Sequence, residues 1–309
     1  MVNGFKSKVY FIGIGGISMS AIARILHREG HFVGGSDRVE SEVTDKLLHE
    51  GIKVSFSHKA SNVSGYDCVV YSSAINNDDP ELKSAISLGK QVLSRAEALS
   101  KLSQGYEKNI CICGSHGKTT TTAIIGEMVA GSVGGLIHIG GESVNFKDNL
   151  IVSGENKNFF VTEACEYKDN FLKLRPDIAV VLNISKDHMD YFKTEKNLIN
   201  SFKAFLFGVK PGGFVVANID CENVRRLCEE MPTNINIITF SKYNQNADYY
   251  LQNIENLSGQ GYKFKINKFS EDFILSIGGE HNLYNALASV IVGNIININK
   301  SIIKKKLKS

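Results

Sequence analysis

The chain has 309 residues, of which 43% are hydrophobic, enough for well-packed cores, and intrinsic disorder is therefore excluded. Its 35 basic and 32 acidic residues give a net charge of +3, a near balance that argues against nucleic acid or an acidic membrane surface as a partner. No apolar run approaches the ~18 residues that span a bilayer, and residues 1–10 lack the apolar core of a secretory signal, so we expect a cytoplasmic protein without membrane insertion.

The first hundred residues alternate short apolar segments with amphipathic ones, which predicts a small parallel α/β unit. Strands are expected at residues 9–12, 31–34, 68–72 and 91–93. One of the six cysteines, Cys68, falls in the third of these strands. The cysteines show no C-x-x-C pair and are expected to be reduced core residues.

A glycine-rich turn, Gly13-Ile14-Gly15-Gly16, follows the first predicted strand, and Asp37 follows the second. This arrangement can hold a diphosphate and a ribose, but the third glycine of the dinucleotide fingerprint would fall at Ser18. An NAD site and a plain structural turn therefore both stay open. Ser73 and Arg95 follow later strands at the same edge. Both either line a ligand site, or Ser73 belongs to a hydrophilic loop and Arg95 is a surface residue.

A polar stretch at residues 100–109 separates this unit from a second run of apolar segments. We place the boundary near residue 105, which gives domains of 1–104 and 105–309. Strands of the second domain are expected at residues 110–113, 159–162, 178–182 and 214–218. Alternating residues from 248 to 277 predict antiparallel strands at the edge of that domain, and a helix should begin near His281.

The segment Gly114-Ser115-His116-Gly117-Lys118-Thr119-Thr120 joins the strand at 110–113 to a helix, as a phosphate-binding loop does. Lys118 can reach terminal phosphates, and the hydroxyl of Thr119 can bind Mg²⁺. Only Ser115 and His116 separate the two glycines, so the loop is a shortened variant. A glycine turn before an ordinary helix is the alternative. Cys111 and Cys113 share one face of the preceding strand, which leaves a metal role open for them.

Further polar residues follow neighbouring strands of the second domain. Glu163 follows the strand at 159–162, where a carboxylate suits Mg²⁺, and His188 should emerge at the same edge. Glu166 either orients this site, meets the substrate or is a surface carboxylate. Asn282 and Asn285 either cap a helix and face solvent or use their amides to bind adenine.

Four ordered segments, covering essentially the whole chain, resemble those of the Mur ligases, the ATP-dependent enzymes that build the peptide of bacterial peptidoglycan. The segments are Gly13-Ile14-Gly15-Gly16-Ile17-Ser18-Met19-Ser20, the shortened loop, Glu163-Ala164-Cys165-Glu166-Tyr167 with residues 183–188, and His281-Asn282-Leu283-Tyr284-Asn285-Ala286. The resemblance implies an α/β fold, with a Rossmann-like N-terminal domain followed by a P-loop ATPase domain around a mostly parallel sheet. The third domain of the family, which holds the amino acid, is not expected in this chain.

For the first domain the resemblance implies binding of a UDP-sugar. The diphosphate would lie over Gly15, Gly16 and Ser18, with Asp37 nearby. Many relatives have glycine where Ser18 stands. Residues Ser73, Arg95 and, from the second domain, Glu166 complete the expected substrate contacts.

For the second domain the resemblance implies ATP on residues 114–120, with His116, Asn282 and Asn285 near the nucleotide. It also implies Mg²⁺ on Thr119, Glu163 and His188. Lys118, Glu163 and His188 are the catalytic residues that follow. Some relatives carry a carbamylated lysine where Lys203 lies, a role not expected in this chain.

Among the Mur ligases, these motifs resemble the branch that joins L-alanine to the lactyl carboxylate of UDP-N-acetylmuramate, through an acyl phosphate and with formation of ADP. An alternative is the branch that attaches a preformed peptide to the same sugar. Another is a UDP-sugar and ATP binding module without turnover. An unrelated Rossmann dehydrogenase is disfavoured by the phosphate loop, and the sequence does not fix an oligomeric state.

Overall fold

The computed structural model describes residues 4–140, 149–154 and 156–308. Residue contacts divide the chain into two compact units, with the main division between Gly105 and Tyr106. Each unit is built on a mostly parallel sheet flanked by helices, which confirms the expected α/β class. Within the described ranges, no helix is long and apolar enough to cross a membrane.

The first unit contains a five-stranded, wholly parallel sheet in the order β3-β2-β1-β4-β5. Its strands are β1 (Lys8–Ile12), β2 (Phe32–Ser36), β3 (Lys53–Ser55), β4 (Cys68–Tyr71) and β5 (Gln91–Ser94). Its helices are α1 (Ile17–Arg28), α2 (Glu42–His49), α3 (Pro80–Ser87) and α4 (Arg95–Ser103). The four expected strands are confirmed, whereas β3 was missed because three residues carry too little periodicity to be recognised.

Strand β1 lies at the centre of this sheet because both of its faces are apolar. Val9, Tyr10, Phe11 and Ile12 are all buried, as expected for a parallel strand covered by helices on both sides. The chain runs from β1 to β2 on one side and reaches β4 on the other. This reversal opens a crevice at the carboxyl ends of the strands, where α/β sheets bind ligands.

The second unit contains a ten-stranded sheet in the order β15-β14-β13-β12-β11-β10-β6-β9-β7-β8. Its strands are β6 (Lys108–Cys113), β7 (Gly135–His138), β8 (Leu150–Ser153), β9 (Phe159–Glu163), β10 (Ile178–Val181), β11 (Phe214–Asn218), β12 (Asn236–Ser241), β13 (Tyr249–Asn256), β14 (Tyr262–Ile266) and β15 (Asp272–Leu275). Its helices are α5 (Lys118–Ala130), α6 (Met189–Phe192), α7 (Glu195–Phe207), α8 (Glu222–Glu229), α9 (Asn282–Ile295) and α10 (Lys300–Leu307).

Strands β6, β7, β9, β10, β11, β12 and β13 run parallel, and β8, β14 and β15 are added antiparallel at the two edges. The antiparallel strands expected between residues 248 and 277 are therefore confirmed from β13 to β15. Helix α9 begins at Asn282 with His281 as its N-cap, as expected. Strands β7, β8 and β12 were not predicted.

Strand β6 lies between β10 and β9, in the interior of the sheet. The glycine loop at residues 114–117 follows it directly. Cys111 and Cys113 are fully buried in β6, and burial raises the pKa of both thiols well above the ordinary value. Both are therefore core residues, as the sequence predicted. The six cysteines, all within the described ranges, form no disulfide, and Cys165, Cys221 and Cys228 are only partly buried.

Candidate functional site

A pocket of about 330 Å³ lies at the carboxyl end of the sheet in the first unit. It is lined by Gly13, Gly15, Gly16, Asp37, Arg38, His58, Ser72, Ala74 and Ile75. The backbone N–H of Gly15 donates to Oδ2 of Asp37 at 2.8 Å. A Cβ atom on Gly15 would lie 2.8 Å from that same oxygen, so the turn and the carboxylate fit together only with glycine at this position.

His58 is a pocket residue that the sequence analysis missed. Its Nδ1 lies 2.8 Å from Oδ2 of Asp79 and 3.3 Å from Oε2 of Glu81. Glu81 has no exposed surface and also accepts hydrogen bonds from Tyr10 and Asn62. A histidine in a loop has no sequence signal of its own, and only the packing of that loop against α3 brings His58 to these carboxylates.

Three other residues expected to contact a substrate lie in the same unit but outside the lining of this pocket. Nη1 of Arg95 donates to Oγ of Ser18 at 3.1 Å, so the guanidinium lies beside the first turn of α1. Arg95 is partly buried, which excludes the interpretation of a merely exposed surface arginine. Ser73 is exposed, and its neighbour Ser72 lines the pocket instead.

The expected phosphate loop of the second unit joins β6 to α5 through two glycines in left-handed conformations. Gly114 has a φ of 140° and Gly117 a φ of 87°. A Cβ atom on Gly117 would lie 2.5 Å from Oδ1 of Asn285. Gly117 is also the N-cap of α5 and offers no side chain to its first turn, so the N–H groups of Lys118, Thr119 and Thr120 are presented by an uncapped helix.

Asn183 accepts hydrogen bonds from two other amides of the loop. The backbone N–H of Ser115 donates to the Asn183 carbonyl at 3.1 Å, and that of His116 donates to Oδ1 of Asn183 at 2.9 Å. The hydroxyl of Ser115 donates to the carbonyl of Ser185 and accepts from its N–H. The segment after β10 thus fixes the shape of the loop, and the N–H groups free to meet an anion belong to the first turn of the helix.

The ammonium of Lys118 contacts a backbone carbonyl of the loop and a carboxylate. Its Nζ donates to the Gly114 carbonyl at 2.6 Å and lies 3.1 Å from each carboxylate oxygen of Glu166. Glu166 has no exposed surface, so the interpretation of this residue as a surface carboxylate is wrong. The fully buried charge requires a cation, and Lys118 provides it.

Glu163 and His188 lie on the two strand connections that flank the loop. Glu163 ends β9 and is in register with Ile112 of β6. Nε2 of His188 lies 3.8 Å from Oε1 of Glu166, and His188 adopts a left-handed φ of 51°. The expected residues Lys118, Glu163 and His188 therefore occupy the carboxyl ends of three neighbouring strands, β6, β9 and β10.

Two sets of side chains at this edge offer cation ligands. Glu166, Asp187 and His188 have ligand atoms within 4.8 Å of one another, but Glu166 is already paired with an ammonium group. Thr119, Glu163 and His188 offer a hydroxyl, a carboxylate and an imidazole, a donor set that suits Mg²⁺ or Mn²⁺ together with phosphate oxygens. The residues present therefore fit a divalent cation.

A second pocket, of about 550 Å³, adjoins the loop in the same unit. It is lined by His116, Gly117, Asn183, Asn218, Asp220, Cys221, His281, Tyr284 and Asn285. Asp220 accepts hydrogen bonds from the hydroxyl of Tyr284 at 3.0 Å and from the N–H of Lys242 at 2.8 Å. Asp220 was missed, because strand β11 carries no motif that marks its end as part of a site. Tyr284 lies on α9 within a quoted motif but was given no role of its own.

The expected amide pair lies partly in this pocket. Asn282 and Asn285 are 5% and 3% exposed, so their interpretation as solvent-facing capping residues is wrong. Nδ2 of Asn285 donates to Oδ1 of Asn282 at 2.9 Å, and Asn285 lines the pocket. Lys203 forms an ion pair with Glu230.

Sequence profiles of two families match the chain. Residues 8–107 match the profile described as the Mur ligase family, catalytic domain, and residues 112–293 match the Mur ligase middle domain. The chain belongs to the Mur ligase family. The resemblance stated from the four motifs is thereby confirmed.

Curated Mur ligase relatives support this placement across the whole length. The chain is 42% identical over 311 residues to a UDP-N-acetylmuramate–L-alanine ligase of Acetivibrio thermocellus, with coverage of 99% of the chain and 65% of the relative. It is 35% identical to an enzyme of the same name from Clostridium perfringens, with coverage of 100% and 67%. The chain thus spans about two thirds of the length of these relatives.

Solved structures share the Mur ligase fold. A UDP-N-acetylmuramate-alanine ligase from Thermotoga maritima superimposes with a TM-score of 0.82 at 24% identity, over 97% of this chain and 68% of that one. A UDP-N-acetylmuramate:L-alanyl-gamma-D-glutamyl-meso-diaminopimelate ligase from Neisseria meningitides superimposes with a TM-score of 0.87 at 22% identity, over 99% and 98%. At these identities the likeness concerns the fold alone.

Proposed function

We propose that this chain provides the UDP-sugar and ATP sites of an ADP-forming carbon–nitrogen ligase that joins L-alanine to the lactyl carboxylate of UDP-N-acetylmuramate. The observation that carries the proposal is the uncapped helix at Gly117, with Lys118 on it and with Glu163 and His188 on the neighbouring strand connections. The names of the relatives supply the substrates. Such a reaction belongs to peptidoglycan precursor synthesis in the cytoplasm.

We assign the two substrates to the two domains, 1–104 and 105–309. In the first, Gly15, Gly16 and the first turn of α1 would hold the diphosphate, with Arg95 and Ser18 close by. Asp37 would meet the ribose of UDP. Arg38 and His58 also line this pocket. Their guanidinium and imidazole groups would donate hydrogen bonds to a negatively charged nucleotide.

In the second domain, ATP would lie with its phosphates at the helix N-terminus and its base in the 550 Å³ pocket. The size of that pocket suits a nucleoside. Asn285 would offer its amide to the base, and Tyr284 an aromatic face. His116, which belongs to the loop and lines this pocket, would approach the phosphates.

Thr119, Glu163 and His188 would hold Mg²⁺, whose chemistry is to neutralise the charge that gathers on the transferring phosphoryl group. The ammonium of Lys118 would turn from Glu166 to the terminal phosphates and stabilise the same charge. The N–H groups of the first turn of α5 would hold the phosphates in line with the sugar carboxylate. The product of this step would be an acyl phosphate, which the amine of L-alanine attacks, with release of phosphate. No side-chain nucleophile is required.

Calorimetric titration of the 309-residue chain tests the substrate assignment. UDP-N-acetylmuramate is compared with UDP-N-acetylglucosamine, which lacks the lactyl carboxylate. Selective binding of the muramate supports the proposal, and phosphate release with L-alanine or with a peptide then separates the two ligase branches. Binding of neither sugar nucleotide would refute the UDP site, and binding without phosphate release would identify a binding module.

A further inference from the structure

Two hydrogen bonds cross between the loop that carries Glu166 and the short helix that follows His188. The hydroxyl of Tyr167 donates to Oδ2 of Asp190 at 3.3 Å, and the hydroxyl of Tyr191 donates to Oδ2 of Asp169 at 2.6 Å. Each segment thus contributes one tyrosine and one aspartate. We call these four residues the tyrosine clamp.

One aromatic ring of the clamp also contacts the imidazole of His188. The ring of Tyr167 packs on that imidazole with centroids 4.7 Å apart and an interplanar angle of 39°. Tyr191 meets the ring of Tyr167 edge-on at 6.0 Å. His188 is therefore held on one side by an aromatic face, while its Nε2 lies 3.8 Å from Glu166 on the other.

The backbone around His188 needs such support. His188 has a left-handed φ of 51°, a conformation that costs a residue other than glycine about 1 kcal/mol or more. Helix α6, which it precedes, has only four residues, far fewer than a helix needs to persist by its own hydrogen bonds. The orientation of the imidazole is therefore decided by tertiary contacts.

The opposing segment is held in an equally uncommon conformation. Lys168 and Asp169 both have left-handed φ values, of 53° and 56°. Asp169 also accepts a hydrogen bond from the hydroxyl of Ser201 on α7, so the carboxylate is anchored to a regular helix. Both hydroxyls donate to carboxylates, so each crossing bond is a hydrogen bond to a charged acceptor.

We propose that the tyrosine clamp positions His188 for a divalent cation, with Tyr167 and Tyr191 acting as positioning residues that do not touch the substrate. The inference rests on the proposed function, since it takes His188 as a ligand. Outer contacts that orient a ligating histidine commonly matter about 10- to 100-fold for metal affinity. The clamp makes such contacts in two ways: the ring of Tyr167 packs on the imidazole, and the two hydrogen bonds hold helix α6, which follows His188.

The test uses the 309-residue chain with ADP and Mn²⁺, and measures Mn²⁺ affinity by continuous-wave EPR and the imidazole nitrogen coupling to Mn²⁺ by pulsed EPR. The Tyr167→Phe/Tyr191→Phe double variant keeps the rings and removes both crossing bonds. Tyr167→Ala also removes the ring. Tyr262→Phe, a hydroxyl removal on β14, is the matched control, and circular dichroism verifies the fold of each variant.

The proposal predicts Mn²⁺ affinity about tenfold weaker in the double variant and weaker still in Tyr167→Ala, with an altered nitrogen coupling in both. ADP binding in EDTA should be unchanged, because it depends on the phosphate loop and not on His188. One outcome overturns the clamp proposal but keeps His188 as the ligand. In that outcome the wild type shows the nitrogen coupling, His188→Ala abolishes it, and the folded clamp variants retain both the coupling and the Mn²⁺ affinity. If folded wild type binds Mn²⁺ with ADP but shows no nitrogen coupling, the assignment of His188 fails, and the clamp proposal fails with it.

Discussion

The ammonium of Lys118 lies 3.1 Å from both carboxylate oxygens of Glu166, a side chain without exposed surface. A buried carboxylate therefore neutralises the cation that we assign to phosphate binding. The pair keeps Lys118 in the loop and compensates the charge of Glu166. Phosphate binding would exchange one anionic partner of Lys118 for another, without leaving the ammonium unpaired.

Replacement of Glu166 by glutamine should destabilise the nucleotide-free protein. A hydrogen bond to a charged group contributes about 2 kcal/mol, and the amide cannot replace the ionic contact with Lys118. Urea unfolding of Glu166→Gln measures the loss. Asp78→Asn is the matched control, because the Asp78–Lys83 pair is 93% and 60% exposed and should contribute little to stability. Equal unfolding free energies for both variants would contradict the structural role of Glu166.

Loss of the Lys118 ammonium should weaken nucleotide binding selectively. The Lys118→Ala variant is expected to bind Mg²⁺-ATP about 10- to 100-fold more weakly, because one to two charge-assisted hydrogen bonds are lost. UDP-N-acetylmuramate binding should be unchanged, since that site is assigned to the first domain. Calorimetry with each ligand measures both effects, with Lys83→Ala as a surface control. A folded variant that loses both ligands would show that the division of the two sites is wrong.

An alanine at Gly15 should disrupt the pocket of the first unit. The new methyl group would lie 2.8 Å from a carboxylate oxygen of Asp37, so the turn or the aspartate must move, at a cost of about 1 to 3 kcal/mol. Binding of the UDP-sugar should fall at least tenfold, as a misplaced turn loses its amide contacts. Thermal unfolding and titration measure the two effects. Gly65→Ala, where a Cβ atom meets nothing within 4 Å, serves as the control. Undiminished binding in Gly15→Ala would exclude Asp37 and this turn from the ligand site.

Alkaline conditions should destabilise the first unit through Cys68. Burial raises the pKa of this thiol from 9.0 to about 12, so the folded state disfavours the thiolate. The stabilising contribution is complete below pH 9 and is lost as pH rises from 9 towards 12, at up to ~1.4 kcal/mol per pH unit, because the unfolded chain ionises first. Unfolding free energies measured from pH 8 to 11 should fall less steeply in Cys68→Ala than in wild type. Parallel curves would contradict the shifted pKa.

The sequence predicted those parts of the site that are built from local structure. The strand, glycine turn and helix around Gly114 and Lys118 are contiguous, and so are β1 and the Gly13–Gly16 turn. Residues after parallel strands meet at one edge, which is why Glu163 and His188 could be placed beside the loop before the structure was known. His58 and Asp220 had no such signal, because their partners lie on other elements, at the start of α3 for His58 and on α9 and after β12 for Asp220.

Sequence by itself therefore determined the α/β class and the strand, turn and helix around Gly114 and Lys118, since these follow from residue types at fixed spacing, and the resemblance of four motifs gave the family. Only the tertiary structure decided that Glu166 is buried against Lys118 and that Asn282 and Asn285 are internal. It also decided that two tyrosines join the segments around His188 by hydrogen bonds. Burial and side-chain pairing depend on which segments become neighbours. That is set by strand order and by the packing of whole elements, and no short pattern of residues encodes it.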